Sequence, residues 1–424
     1  LFSHRSFVAL RHRNFRLIWL GLMLSFTGSM MQNAGLLWHV SLLVPNNKGL
    51  ALGMVGLVKV VPIALFSMIS GVLADAWDRR RLMLATQLGA TAVALALAIL
   101  AARHITVVWP IYLLAGLGAA VGAFDLPARN ALVPSLVPRE HLPNAISLNT
   151  IMFQLASVAG PALGGLVIAM AGVTWVYVIN AISFGAVVAA LLMMRDLPAR
   201  APAATAAGSR DDVSLHAAFE GLRFVFGSAL IRSTMLLDFF ATFFSSATAL
   251  LPIFAQDILH IGARGYGWLY AAPAIGALVS SAAMVPMTER IRRRGVTLLW
   301  AVSGYGLATV IFGFSKSFWL TFTCLALTGV TDTVSMVIRN IIRQLETPDR
   351  LRGRMMGVNM LFFMGGPQLG ELEAGVVADW LGAPMSVITG GLGCLACTGY
   401  LALTTPELRR EARASHVEEP VTTS

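Results

Sequence analysis

Charge is what this chain has least of. Only 12% of its 424 residues are charged and 57% are hydrophobic, with a mean hydropathy of +0.74. Soluble proteins carry about 25% charged residues, and each helix of a soluble bundle needs a polar face. A water-soluble helical core is therefore excluded. Cysteine is scarce as well. Cys324, Cys394 and Cys397 all fall in apolar stretches, and the CxxC spacing of the last two has no second ligand pair. That argues against a zinc or redox centre. No GxxxxGK[ST] run occurs, so ATP-driven work by this chain alone is not expected. No nucleophile–base arrangement stands out either. The expectation is a protein that is not an enzyme and uses no cofactor and no metal.

What the chain does have is apolar blocks about 20 residues long, the length that crosses a hydrocarbon core of ~30 Å as a helix. Twelve spans are expected, at 16–44, 50–74, 82–102, 105–127, 144–170, 173–194, 231–258, 265–288, 296–314, 317–340, 355–380 and 382–404. The first is too long for a signal peptide and lacks a small-residue cleavage site, so it reads as a retained span. The chain starts at Leu1 without a methionine, and a few leading residues are expected ahead of it.

The net charge of +10 first suggests nucleic acid, but its placement says otherwise. With the amino terminus in the cytoplasm, 26 Lys and Arg residues fall on the inner side. Four (Lys48, Arg103, Arg264 and Lys316) fall outside, and Lys59 lies within a span. This is the positive-inside bias that orients membrane proteins. Both termini are expected in the cytoplasm, membrane lipid is the expected surrounding, and nucleic acid is not an expected partner.

The largest polar break is RDLPARAPAATAAGSRDD, followed by the amphipathic stretch SLHAAFEGLRFVF, expected on the inner membrane surface. The organisation read from this is an all-α membrane protein with a six-helix bundle over 1–194, a cytoplasmic linker over 195–230, a second six-helix bundle over 231–406 and a tail over 407–424. The halves are related. A shift of 210 residues superposes Arg129-Asn130 on Arg339-Asn340, Pro138 on Pro348, Asn149 on Asn359, Phe153 on Phe363, and Gly160, Gly165 and Gly172 on Gly370, Gly375 and Gly382. A shift of 214 places Asp75 on Glu289 and Arg79-Arg80 on Arg293-Arg294. Two parallel six-span repeats are a transporter plan.

Two motifs carry a family resemblance. GVLADAWDRRR, residues 71–81, has Gly71, an acid four residues later at Asp75, and the basic pair Arg79 and Arg80. It resembles the loop signature of the major facilitator superfamily, with Asp78 where that family usually has glycine. A charged loop that only enforces topology is the simpler alternative. GPALGG, residues 160–165, is similar to the antiporter signature of drug/proton exporters in that superfamily. There Gly160, Gly164 and Gly165 permit close helix approach and Pro161 kinks the span. Ala156 stands where a flanking glycine is usual, and Tyr112 stands where span 4 often carries a coupling arginine. Together with LRHRNFRLIWLG, DLPARNALVPSLVP and GELEAG, these motifs resemble the subgroup that includes the enterobactin exporter and bacterial multidrug exporters. The resemblance covers nearly the whole chain and implies the major facilitator fold, two pseudo-symmetric six-helix bundles, in a monomer of the bacterial inner membrane.

Intramembrane charge points to candidate sites, because an ionisable residue at a helix centre costs about 2.5–3.5 kcal/mol. Lys59 lies about 13 Å from the outer end of span 2, and Glu371 and Glu373 lie about 24 to 27 Å along span 11 from the inside, again in the outer half. The resemblance implies that spans 2 and 11 face each other. Lys59 is therefore expected to pair with Glu371 or Glu373 and latch the outer side, while the other glutamate titrates in the cavity. A purely structural ion pair is the alternative. Asp238 and Asp332, in spans that the resemblance places around the second half's cavity, are rival proton or cation sites. Asp125 and Arg129, four apart on one helix face, form a local salt bridge. Gln32 and Asn33, with Trp38 and His39 further out, are candidate cavity residues, a hydrogen bond near the interface being the alternative for His39; Asn149, Phe153 and Gln154 are weaker ones.

The function expected is export of an amphipathic, siderophore- or drug-like small molecule by alternating access and proton antiport. An importer or a flippase of a nutrient or lysolipid keeps the same fold. A non-transporting sensor or scaffold needs a sizeable soluble domain or tail, and only about 18 residues follow Thr405–Pro406.

Overall fold

The computed structural model describes residues 7–195 and 222–410, apart from 77, 245, 292, 349 and 350. Among the described residues every regular element is helical. The long helices are α1 Arg13–Leu43, α2 Lys48–Ala76, α3 Arg79–Ala102, α4 Trp109–Leu132, α5 Leu142–Ala171 and α6 Val173–Met193, then α7 Ala229–Phe244, α8 Gly262–Met287, α9 Arg294–Phe314, α10 Phe318–Glu346, α11 Arg352–Leu381 and α12 Ala383–Thr404. Ten segments among the described residues are long and apolar enough to cross a membrane. The helices outside that set are α1 and α11, and both carry polar residues in mid-length: Gln32 and Asn33 in α1, Gln368, Glu371 and Glu373 in α11.

Local chemistry sets the ends. Pro110 occupies the first turn of α4, where its missing N–H costs nothing, so the helix begins at Trp109 rather than at 105. Asp78 caps α3 by accepting from the Arg81 backbone N–H at 2.9 Å. Gly172 and Gly382, partners under the 210-residue shift, close α5 and α11 with φ of +86° and +87°, a backbone conformation that favours glycine. The expected span at 231–258 lies within one of the ten apolar segments, Ala229–Ile258, but is not one continuous helix. Its helix stops at Phe244, and the chain resumes as a 3₁₀ turn Ala247–Leu250, a short turn Leu251–Ile253 and a π turn Phe254–Ile258. Ser246 contributes to the break by donating to the Thr242 carbonyl at 2.5 Å, and Pro252 has no N–H to continue a ladder.

The packing repeats after six helices. α1 packs on α5 and α6, α2 on α4, and α3 on α4 and α6; likewise α7 packs on α11 and α12, α8 on α10, and α9 on α10 and α12. Between the two sets, α2 packs along α11 and α5 along α8. One apolar cluster crosses this seam, joining Met31 and Trp38 to Phe254, Tyr266 and Phe312. The outer surface is apolar too. Trp300, Trp319 and Trp380 are 74, 72 and 81% exposed, as suits side chains that meet lipid rather than water.

The amphipathic stretch lies mostly outside the described residues; its end, residues 222–227, is helical. The surroundings of Gly71 and the side chain of Asp75 are likewise outside them.

Candidate functional site: a seam and two cavities

Glycine builds the seam. A Cβ on Gly53 of α2 would lie 2.9 Å from the Glu371 carbonyl and 3.1 Å from the Gly375 Cα of α11. A Cβ on Gly165 of α5 would lie 2.5 Å from the Ala263 carbonyl and 2.7 Å from the Gly267 Cα of α8. The approaches to the two carbonyls, at 2.9 and 2.5 Å, are shorter than real Cβ atoms make, so glycine lets these backbones touch. The two contacts are one device used twice, because Gly165 maps onto Gly375 under the 210 shift and Gly53 onto Gly267 under the 214 shift. Both contacts lie toward the end of the bundle where α2 and α8 begin. The rest of the GPALGG run serves α1: Gly160 packs on Met30 and Thr27, and Gly164 on Met31.

At the α2–α11 contact the Glu371 carboxylate lies over Gly56, whose Cβ would meet Glu371 Oε2 at 2.9 Å. Lys59, the next polar residue along α2, donates to Asn33 Oδ1 at 3.4 Å. Lys59 and Glu371 act on each other electrostatically, but among the described residues no ion pair of 4.0 Å or less joins Lys59 to either glutamate. Glu373 is half-buried; two residues from Glu371, it projects from another side of α11. A cross-seam bridge does form nearer the helix ends, between residues the sequence did not single out. Lys48 Nζ contacts Asp257 Oδ2 at 2.8 Å and Gln256 Oε1 at 3.3 Å, and Gln256 donates to Ser41 at 2.7 Å.

Beyond the seam lies a cavity of about 650 Å³. Gln32, Asn33 and Lys59 line one end and Asp125, Arg129 and Asn130 the other, with Phe26, Met30 and Phe184 as apolar wall. Along α4 it runs from Leu114 to Asn130, about 24 Å at the helical rise. Among the described residues nearly all of its wall comes from α1–α6, and Gln368 of α11 lines it from the other set. The polar groups are held in place. Asn180 donates to Gln32 at 2.8 Å, and Asp125 pairs with Arg129 while accepting from Thr86 at 2.9 Å and Gln87 at 2.8 Å. Arg129 also lies over the Phe26 ring at 4.2 Å. Gln87 and Gln368 escaped the sequence reading, although Thr86-Gln87 is a polar pair in an otherwise apolar span.

Three expected cavity residues lie elsewhere. Trp38 is buried with its ring 5.1 Å from that of Tyr266, which makes it part of the apolar cluster across the seam. Asn149 and Gln154, half-buried on α5, are not among the lining residues. Phe153 meets Phe26 edge-on at 5.6 Å. His39 hydrogen-bonds the Tyr177 hydroxyl at 3.1 Å, and Tyr112 donates to the Ala51 carbonyl at 2.8 Å.

The second set of helices holds its charge differently. Asp238, expected on a cavity wall, is buried on α7 between two arginines of α10, Arg339 at 2.6 Å and Arg343 at 3.4 Å. Those arginines, counted as inner-surface charge in the sequence, are each 3% exposed. α10 continues past Asn340 to Glu346 and carries them inward, and a buried carboxylate needs such partners. Asp332 lines a smaller cavity of about 170 Å³.

The profile of the transmembrane secretion effector family matches residues 4–422. The chain belongs to this family of major facilitator transporters. It is 30% identical over 346 residues to the enterobactin exporter EntS of Escherichia coli O1:K1, covering 81% of this chain and 80% of that one. The EntS of Shigella boydii serotype 18 matches to the same extent. Among solved structures, a bacterial homologue of the human lysosomal transporter Spinster aligns at 15% identity, covering 94% of this chain and 99% of that one, with a TM-score of 0.69. The nucleoside transporter NupG aligns at 14%, covering 91 and 98%, with a TM-score of 0.68. The likeness to these two structures concerns the fold. The protein is thus a multi-pass transmembrane transporter of the major facilitator type.

Proposed function

We propose that this transporter exports an amphipathic, siderophore- or drug-like molecule from the cytoplasm across the bacterial inner membrane, by alternating access coupled to proton entry. The observation that carries the reading is the arrangement around Glu371. The carboxylate sits in the glycine seam, beside Lys59 at the head of a 650 Å³ cavity. A cavity of that size suits a drug-sized ligand, and its mixed wall of Phe26, Met30 and Phe184 with Gln32, Asn33, Lys59 and Arg129 suits one with both apolar and polar parts. The likeness to the enterobactin exporter supports export and a siderophore-like cargo.

The same arrangement supplies the coupling. Glu371 and Lys59 lie close enough to interact without being locked in a pair, so protonation of Glu371 removes the charge that faces Lys59 and loosens α2 from α11. The seam then parts on that side, and the cavity becomes accessible past Lys59. In this reading the seam end faces the outside, the Arg79 and Arg129 end faces the cytoplasm, both termini are cytoplasmic, and a monomer is the working unit.

The test is efflux from reconstituted vesicles under an imposed pH gradient, with a catecholate siderophore and several cationic dyes as probes. The parent is expected to extrude at least one probe in proportion to the gradient. Glu371→Gln is expected to lose that dependence. Uptake in place of extrusion would reverse the direction, and indifference of the parent to the gradient would remove the proton.

A further inference from the structure

The small cavity among α7–α11 has a chemistry unlike that of the large one. Its polar wall includes Asp332 and the hydroxyls of Thr242, Ser246, Thr309 and Thr328. Each of these four hydroxyls donates its proton to a backbone carbonyl: Thr242 to Asp238 at 2.8 Å, Ser246 to Thr242 at 2.5 Å, Thr309 to Tyr305 at 2.9 Å and Thr328 to Leu325 at 2.6 Å. A hydroxyl whose hydrogen is committed in this way has only lone pairs left to offer. Together with the hydroxyls of Thr248 and Tyr305, these four acceptor oxygens and one carboxylate line the space, and among the described residues no lysine or arginine lines it.

We propose that this cavity is a binding site for a small monovalent metal cation of the sodium class, ligated by the Asp332 carboxylate and these hydroxyl oxygens. Hard cations take oxygen ligands of this kind. A space of about 170 Å³ holds an ion with a few waters, each occupying about 30 Å³, and is too small for the cargo of the large cavity. Asp332 is placed to serve it. Its side chain is 49% exposed, while Asp238 beside it is 5% exposed.

The neighbouring arginines set how tightly the ion is held. Arg339 is committed to Asp238 at 2.6 Å and reaches Asp332 Oδ1 only at 3.6 Å. Arg343 is turned to Asp238 and Asn359. The two acids and two arginines balance, so an incoming cation competes with Arg339 for Asp332. Binding is therefore weak and reversible, as an ion that must be released on each cycle requires. Ser246 adds a mechanical link, since it lies at the break after α7 and its hydroxyl oxygen is also 3.1 Å from the Pro367 carbonyl oxygen of α11. An ion on Ser246 ties α7 to the helix that carries Glu371.

The site can be tested by binding alone, without any transport assay, so its failure is separate from failure of the export reading. Thermal unfolding of the purified, detergent-solubilised full chain is measured at fixed pH and ionic strength while sodium chloride replaces choline chloride. Sodium is expected to raise the melting temperature by roughly 1–3 °C in a saturable way. Asp332→Asn is expected to abolish the shift, and the double variant Thr309→Val, Thr328→Val to move its midpoint to at least about tenfold higher sodium. If Asp332→Asn does not fold, the double variant decides the question with a conservative change. No difference between sodium and choline, or an undiminished response in either variant, would overturn the site. A response to pH but not to sodium would overturn it as well, leaving Asp332 to protons.

Discussion

The two contacts that join the helix sets have the same backbone and different chemistry. At the α2–α11 contact Gly53 meets Gly375, and at the α5–α8 contact Gly267 meets Gly165. Under the same two shifts, Lys59 and Glu371 of the first contact map onto Pro273 and Pro161 of the second. Where one contact has a cation and a carboxylate, the other has two prolines inside helices. A proline breaks one ladder bond and lets a helix bend there, whereas an intramembrane acid answers to protons. We read the shared glycines as the bearing surface, the prolines as the place that flexes and the charges as the place that senses.

This comparison can be broken at several levels. The largest effect is expected from bulk in the glycines. Gly165→Leu and Gly375→Leu each force apart backbones that a single methyl group would already crowd. Overpacking of this kind costs about 1–3 kcal/mol, so each variant is expected to lower vesicle efflux by about ten- to a hundredfold. A strong effect at one contact and none at the other would show that they are not equivalent.

Next comes the charge. Glu371→Gln is expected to abolish the response of efflux to an imposed pH gradient, a loss of at least about tenfold or about 1.4 kcal/mol of coupling. Pro161→Ala is expected to slow efflux while leaving its gradient dependence intact. Loss of gradient dependence in Pro161→Ala, measured in the same vesicles, would merge the two roles.

A smaller effect is expected from the cross-seam bridge. Lys48→Ala or Asp257→Ala removes a partly exposed pair worth about 0.2–1 kcal/mol, and a shift of a few degrees or less in melting temperature is expected. The exchanged pair Lys48→Asp, Asp257→Lys is expected to restore part of it. The smallest effect belongs to Glu373→Gln, which is expected to change gradient-driven efflux less than about twofold because the residue projects away from Glu371. A large loss there, in the assay used for Glu371, would move the sensing acid two residues along α11.

Much of the architecture was legible before any coordinates, for reasons that are local. Runs of apolar residues announce helices that cross lipid. Gly172 and Gly382 mark two helix ends, and the 210-residue shift announces the repeated packing of α1–α6 and α7–α12. Lys59, Glu371 and Asp332 drew notice because charge is rare in these spans, and the structure places Lys59 and Asp332 on cavity walls and Glu371 at the seam. Gln87 and Gln368 are ordinary residues in a sequence and become cavity groups only by position. Trp38 read as a cavity aromatic, yet its ring lies against Tyr266 from α8, a partner about 230 residues away that no local pattern reveals. Arg339 and Arg343 read as surface charge because arginine near a span end usually is; Asp238 on another helix draws them inside.

The amino-acid order by itself determined that this is a helical membrane protein and roughly where its helices lie. These follow from hydropathy and spacing, which act within one segment of chain. Only the tertiary structure decided which glycines touch, that Glu371 lies at the seam while Asp238 is shut between two arginines, and that the hydroxyls around Asp332 face one small space. Those outcomes depend on which helix faces come together, and burial gives a charged or hydroxyl group its meaning only once its neighbours are in place.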